Sequence, residues 1–219
     1  DWIVRRGVER IPEGVPFERA SLVEPVNTCL KAVVECDPQP GELVAILGQG
    51  PIGLLFTMLV RRTGATVLAT DSIESRRRLA LDLGADEAWD PRSVDLASET
   101  ARRSDGRGAD LVIVAASAPH IVEEAIRCSR PGARILLFAQ TSDQETVEFS
   151  GAAICKGERT LWGCYSASID LQRQSADLVF NNQIPVEKLI SHCFPLAEVH
   201  AGIDMALHPD GQSLKIILQ

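Results

Sequence analysis

Apolar residues in this chain gather into short dense runs, and between the runs they recur at helical spacing. Leu43-Val44-Ala45-Ile46-Leu47 and Thr66 to Thr70 show no polar alternation, the pattern of strands covered on both faces of a parallel sheet. Between them, Leu54 to Arg62 has one apolar face of a helix, and Gly64 ends it. The rhythm then repeats. Leu79, Ala80, Leu81 and Leu83 mark a helix with Gly84 as its C′ residue, and Glu87 to Asp90 is a third short strand. Leu96 to Arg103 reads as a helix, Leu111 to Ala116 as a strand and Ile121 to Cys128 as a helix. Pro131-Gly132 introduces a fifth strand from Arg134 to Ala139. Thr160 to Tyr165 is a sixth, followed by a helix from about Leu171 to Phe180. Such alternation demands parallel strands joined by right-handed crossovers: an α/β, doubly wound sheet with helices on both faces.

Both ends break the rhythm. Trp2-Ile3-Val4 is a brief strand-like run, two prolines and a glycine precede an amphipathic start at Phe17, and Val23 to Val34 reads as a helix. After Pro185 the chain reaches a helix and a last apolar strand, Leu214 to Leu218. It opens on Asp1 and not Met, as expected of a piece of something longer.

Composition narrows the function classes. A net charge of −8 and a pI near 5.1 disfavour nucleic acid as a partner. No apolar run reaches membrane-spanning length and no signal-type leader opens the chain, so no membrane is expected. The six cysteines are scattered without a C-x-x-C pair. They read as reduced cytoplasmic thiols, not as a disulfide frame or a zinc knuckle, and Cys29 and Cys155 lack a partner at metal-ligand spacing.

The chemistry sits between the first two strands. Gly48-Gln49-Gly50-Pro51-Ile52-Gly53 is a G-x-G-x-x-G placed between a strand and a helix, and Asp71 stands 18 residues after its last glycine. That context turns a weak motif into a dinucleotide fingerprint. Gly48 allows the tight turn, Gly50 lets a pyrophosphate approach, and Gly53 lets helix and strand pack. Pro51 and Ile52 open the helix, whose N-terminal N–H groups suit phosphate. Asp71 can accept both ribose hydroxyls and repels a 2′-phosphate, which favours NAD over NADP. Ala116 and Ser117 after the fourth strand, and Phe138 and Ala139 at the fifth, occupy carboxyl strand ends, where such sheets bind ligands. A ligand-free glycine turn and an S-adenosylmethionine methyltransferase are the competing readings.

Glu24-Pro25, PGELVAILGQGPIG, Thr70-Asp71, LGAD at Leu83 to Asp86, GAD at Gly108 to Asp110, RPGARILL and ISHCFPL occur in this order. Together they resemble the zinc-dependent alcohol and polyol branch of the medium-chain dehydrogenase/reductase family, over essentially the whole chain. The resemblance implies a Rossmann domain at about 25–184, with 1–24 and 185–219 as end segments of a GroES-like catalytic domain. It implies an NAD-dependent oxidoreductase acting on a small alcohol or polyol, and a homodimer or tetramer joined through the Thr160 to Tyr165 edge. It further implies that Glu24 faces the catalytic zinc, Thr28 packs on the nicotinamide, Arg76 lies over the adenosine and Lys215 reaches the pyrophosphate. The departure is the metal. No Gly-His-Glu and no cysteine cluster is present, and the histidines are His120, His192, His200 and His208. The expectation is therefore that this chain holds no zinc by itself and is the cofactor-binding part of the enzyme. A non-catalytic dinucleotide-binding module is the alternative.

Overall fold

The computed structural model describes residues 2–139 and 146–219. In chain order the elements are α1 (Trp2–Gly7), α2 (Phe17–Ala20), α3 (Val23–Cys36), β1 (Leu43–Leu47), α4 (Pro51–Arg61), β2 (Thr66–Thr70), α5 (Glu74–Asp82) and β3 (Glu87–Trp89). They continue with α6 (Leu96–Arg103), β4 (Ala109–Val114), α7 (Ile121–Cys128), β5 (Ser129–Leu137), α8 (Gly151–Cys155), β6 (Thr160–Gly163) and α9 (Gln172–Phe180). The last are β7 (Ile190–Phe194), α10 (Val199–Leu207) and β8 (Lys215–Leu218).

Two compact units are formed, Ala32–Tyr165 and Asp1–Lys31 with Ser166–Gln219. The first contains the six-stranded sheet, ordered β3-β2-β1-β4-β5-β6 with every pair parallel. This is the doubly wound Rossmann arrangement. The chain lays β2 and β3 on one side of β1, then crosses back to lay β4, β5 and β6 on the other. The order reverses between β1 and β4, the switch point beside which such sheets bind ligands.

The strands form where they do because they are covered on both faces. Ala45 and Leu47 of β1 pack with Val112 and Val114 of β4 against Leu96 of α6 and Val122, Ala125 and Ile126 of α7. Their alternating neighbours Val44, Ile46, Leu111 and Ile113 are equally buried, so the other face is closed too. Each large side chain buried in this way contributes roughly 1.5–3 kcal/mol. A polar pin fixes the register. The Asp110 carboxylate, buried at the start of β4, accepts from the Leu43 N–H at 2.8 Å and from Arg130 Nε at 2.5 Å.

The second unit holds the two-stranded parallel sheet β7-β8, α1, α2, α9 and α10. Within it, Asn27 joins α3 to the turn before α9, donating to the Ser168 carbonyl and to Gln172 Oε1, 2.9 Å each.

Two expectations are corrected, and one element is added. Trp2-Ile3-Val4 is helical, not extended. A lone strand would leave its backbone groups unpaired, whereas a helix satisfies its own, and Arg6 one turn on lies over the Trp2 ring at 5.3 Å. β4 and β5 start and stop earlier than their apolar runs, because the β4–β5 ladder opens at Ala109 and Ser129 and shifts register before Leu111. Ile190–Phe194, which the apolar pattern did not mark as an element, is a strand because β8 supplies its partner.

Candidate functional site at the carboxyl ends of the parallel strands

The glycine turn is built by exclusion. Gly48 has φ +97, and a Cβ there would sit 2.4 Å from the Ala116 Cβ. A Cβ on Gly53 would lie 1.9 Å from the Gly48 carbonyl oxygen, so only glycine lets α4 start this close to β1. Gly50 differs: nothing lies within 4 Å of its would-be Cβ. Its side faces open space at the head of α4, where Pro51 takes the first turn. The positive end of the helix dipole is presented there.

Asp71 ties the turn to the neighbouring strand end. Its Oδ2 accepts from the Gln49 N–H and its Oδ1 from the Ile73 N–H, each at 2.8 Å. The residue is only 8% exposed. A carboxylate has about four acceptor positions, and these bonds occupy two. Arg76 Nη1 stands 4.0 Å from Oδ2, and Arg77 Nη1 donates to the Asp71 carbonyl at 2.7 Å.

Gln49 braces the turn from below. Its fully buried amide accepts from the Thr57 hydroxyl of α4 at 2.9 Å and donates to the Ile46 carbonyl at 3.3 Å. Sequence reasoning missed it, since it stands at a freely varying position of the motif. The available signal was Thr57, the one polar residue in the run Leu54 to Val60 of α4.

A cavity of about 620 Å³ opens beside this turn. Gly48, Asp71, Arg76, Ala116 and Ser117, all singled out from sequence, line it together. Ser72 and Arg92 line it too and were not foreseen, although the strand-end rule applied to β3 reaches the turn carrying Arg92. Ala139 belongs instead to an adjoining hollow of about 380 Å³ that shares Ala116 and Ser117. Phe138 packs edge-on against Phe56, centroids 4.8 Å apart, and its N–H donates to the Val114 carbonyl at 3.1 Å.

Glu24, Thr28 and Lys215 belong to the second unit. The Thr28 hydroxyl lies 2.9 Å from Glu24 Oε1 and 3.0 Å from the Glu24 carbonyl oxygen. Lys215 opens β8 opposite Ile190. Among the described residues no three His, Cys, Asp or Glu side chains come together as a metal site. Glu24 offers a single carboxylate, so the donor set does not fit zinc and no metal-borne step is assigned to this chain.

A family model for zinc-binding dehydrogenases matches residues 51–181. Over 218 residues the chain is 26% identical to an (R,R)-butanediol dehydrogenase of Neisseria gonorrhoeae, covering 99% of this chain and 61% of that protein. A solved zinc-binding dehydrogenase from Sinorhizobium meliloti 1021, bound to NADP, superposes with a TM-score of 0.87 at 29% identity, covering 95% of this chain and 61% of the other. An alcohol dehydrogenase from E. coli CFT073 complexed with NADH gives 0.87 at 26% identity, over 96% and 62%. The chain thus spans about three fifths of the length of the relatives it matches.

Proposed function

The chain belongs to the zinc-binding dehydrogenase family, and on that premise we propose that it is the cofactor-binding part of an NAD-dependent alcohol or polyol dehydrogenase. The observation that carries this reading is the turn itself. Gly48 and Gly53 are sterically obligatory, Gly50 faces open space, and Asp71 with two acceptor positions to spare lies on the wall of the adjoining cavity.

The roles of the turn and of Asp71 follow from their groups; those of Arg76, Lys215, Glu24 and Thr28 follow from the family resemblance. The N–H groups at the head of α4 receive the pyrophosphate, with Lys215 as a further cation for it. Asp71 accepts the ribose hydroxyls and, through its charge, disfavours a 2′-phosphate. Arg76 lies over the adenosine, while Ala116, Ser117 and Phe138 meet the cofactor at the carboxyl strand ends chiefly through backbone groups. When bound, the dinucleotide supplies the hydride acceptor for the alcohol carbon. Glu24 and Thr28 are read as the residues nearest that reaction, Glu24 toward the zinc of an intact enzyme and Thr28 toward the nicotinamide.

In this reading residues 25–184 form the dinucleotide domain, and 1–24 and 185–219 are end segments of a catalytic domain. The cytoplasm is the proposed place of action, in keeping with six free cysteines. Among the described residues β6 is an edge strand, a template for further pairing, and we take it as the seam of a homodimer. Sedimentation at micromolar concentration should find a dimer, and a monomer would remove that seam. The cofactor reading is tested by titrating the chain with NADH and following nucleotide fluorescence: saturable one-to-one binding is expected. Binding of S-adenosylmethionine without NADH would replace the reading with a methyltransferase.

A further inference from the structure

Arg92 reaches the cavity from outside the fingerprint, on the turn after β3, and lines it alongside Asp71, Ser72 and Arg76. Asp90 grips its guanidinium with both oxygens, Nε to Oδ1 at 2.9 Å and Nη2 to Oδ2 at 2.7 Å. Nη2 also donates to the Ser72 carbonyl at 2.8 Å. That bond tethers Arg92 to the residue that follows the ribose acid.

Asp90 is the fixed member of the pair. Its Oδ1 also accepts from the Arg92 N–H at 3.0 Å, its Oδ2 lies 3.5 Å from Arg77 Nη1, and its side chain is 18% exposed against 70% for Arg92. Hydrogen bonds from the Arg92 side chain, then from its backbone, hold the carboxyl well below the ordinary carboxylate range. Asp90 is therefore charged at neutral pH.

We propose that Asp90 is a second determinant of cofactor choice, acting through Arg92: it occupies the guanidinium that a 2′-phosphate at this corner would need. The proposal rests on the reading of this cavity as the adenosine-ribose end of a dinucleotide site. A phosphate monoester carries a charge of about −1.5 to −2 and is matched by the planar fork of arginine. Here the Nε–Nη2 edge of that fork is already taken by a carboxylate of the same shape and sign, which also offsets its charge. Asp71 repels the phosphate directly, and Asp90 withholds its best partner. Removing Asp71 alone leaves that second barrier standing. Removing both leaves Arg92 tethered by the Ser72 carbonyl at the cavity wall with its charge uncompensated by Asp90.

The test is NADH and NADPH titration of the 219-residue chain and its D71S, D71S/D90N and D71S/D90N/R92Q variants, with thermal melts alongside. Adding D90N to D71S should raise NADPH affinity at least tenfold, more at low ionic strength, and R92Q should abolish the gain. Equal NADPH affinity in D71S and D71S/D90N, or a gain that survives R92Q, overturns the proposal. If D90N unfolds the turn, D71S/D90S takes its place: the same tenfold gain in NADPH affinity over D71S is expected, and no gain in a folded D71S/D90S protein overturns the proposal. An unsubstituted chain that binds neither nucleotide would instead overturn the underlying dinucleotide reading.

Discussion

Single residues divide the work of the glycine turn. Gly53→Ala forces a Cβ to within 1.9 Å of the Gly48 carbonyl oxygen. Overpacking of this kind costs about 1–3 kcal/mol, so the variant should melt lower and bind nucleotide poorly. Gly50→Ala meets nothing within 4 Å and keeps an ordinary φ of −67. It should melt close to the parent yet lose NADH affinity, because its methyl group enters the space the phosphates need. A G50A protein that binds NADH like the parent would mean that phosphates do not approach there. Motif glycines and Asp71 were legible in the sequence because their roles are set by backbone geometry and by a fixed spacing. Gln49 and Arg92 were not, since each acts through a partner brought to it by the fold: Thr57 from the helix, Asp90 and Ser72 from neighbouring strand ends.

At the level of elements, Asp110 decides how β4 meets β1. Burial would raise its pKa, but the Leu43 N–H and Arg130 outweigh that and hold it lowered. A depressed folded pKa means that the stabilisation is fully present above the unfolded value near 3.9 and is lost as pH falls through the folded value. Asp110→Ala should cost about 2 kcal/mol at neutral pH, the scale of a charged hydrogen bond, and the deficit should shrink in acid. Denaturant melts at pH 7 and pH 3 read this out; an undiminished gap at pH 3 would contradict it. The central strands were plain in the sequence because burial on both faces leaves an uninterrupted apolar run. Ile190–Phe194 was obscured by Ser191, His192 and the exposed Cys193, and only the pairing with β8 defines it. Trp2–Gly7 shows the converse, β-forming residues turned helical where the backbone has no strand partner.

Across the whole molecule, burial is uneven. β1 and β4 are buried at every residue. Trp2, Phe17, Leu196 and Leu207, all in the unit built from the two ends, are exposed. Hydrogen exchange should accordingly be slowest in β1 and β4 and fastest in α1 and α10; equal protection throughout would contradict the division. Cysteine chemistry follows the same map. Burial pushes the Cys36 thiol up to about 12 and raises Cys128 as well, whereas Cys155 and Cys193 are exposed. Alkylation of the native chain at pH 8 should label those two first, and early labelling of Cys36 would contradict the packing. The doubly wound sheet and its ligand-binding edge could be read from strand-helix alternation alone, but the corner of charge around Arg92 exists only once β2 and β3 lie side by side. The measurement that bears most directly on the account is the ratio of NADH to NADPH affinity in the unsubstituted chain and in Asp71→Ala. The account predicts that NADH binds at least tenfold more tightly in the parent and that the gap narrows in the variant. Equal affinities in the parent, or a gap that Asp71→Ala leaves untouched, would contradict it.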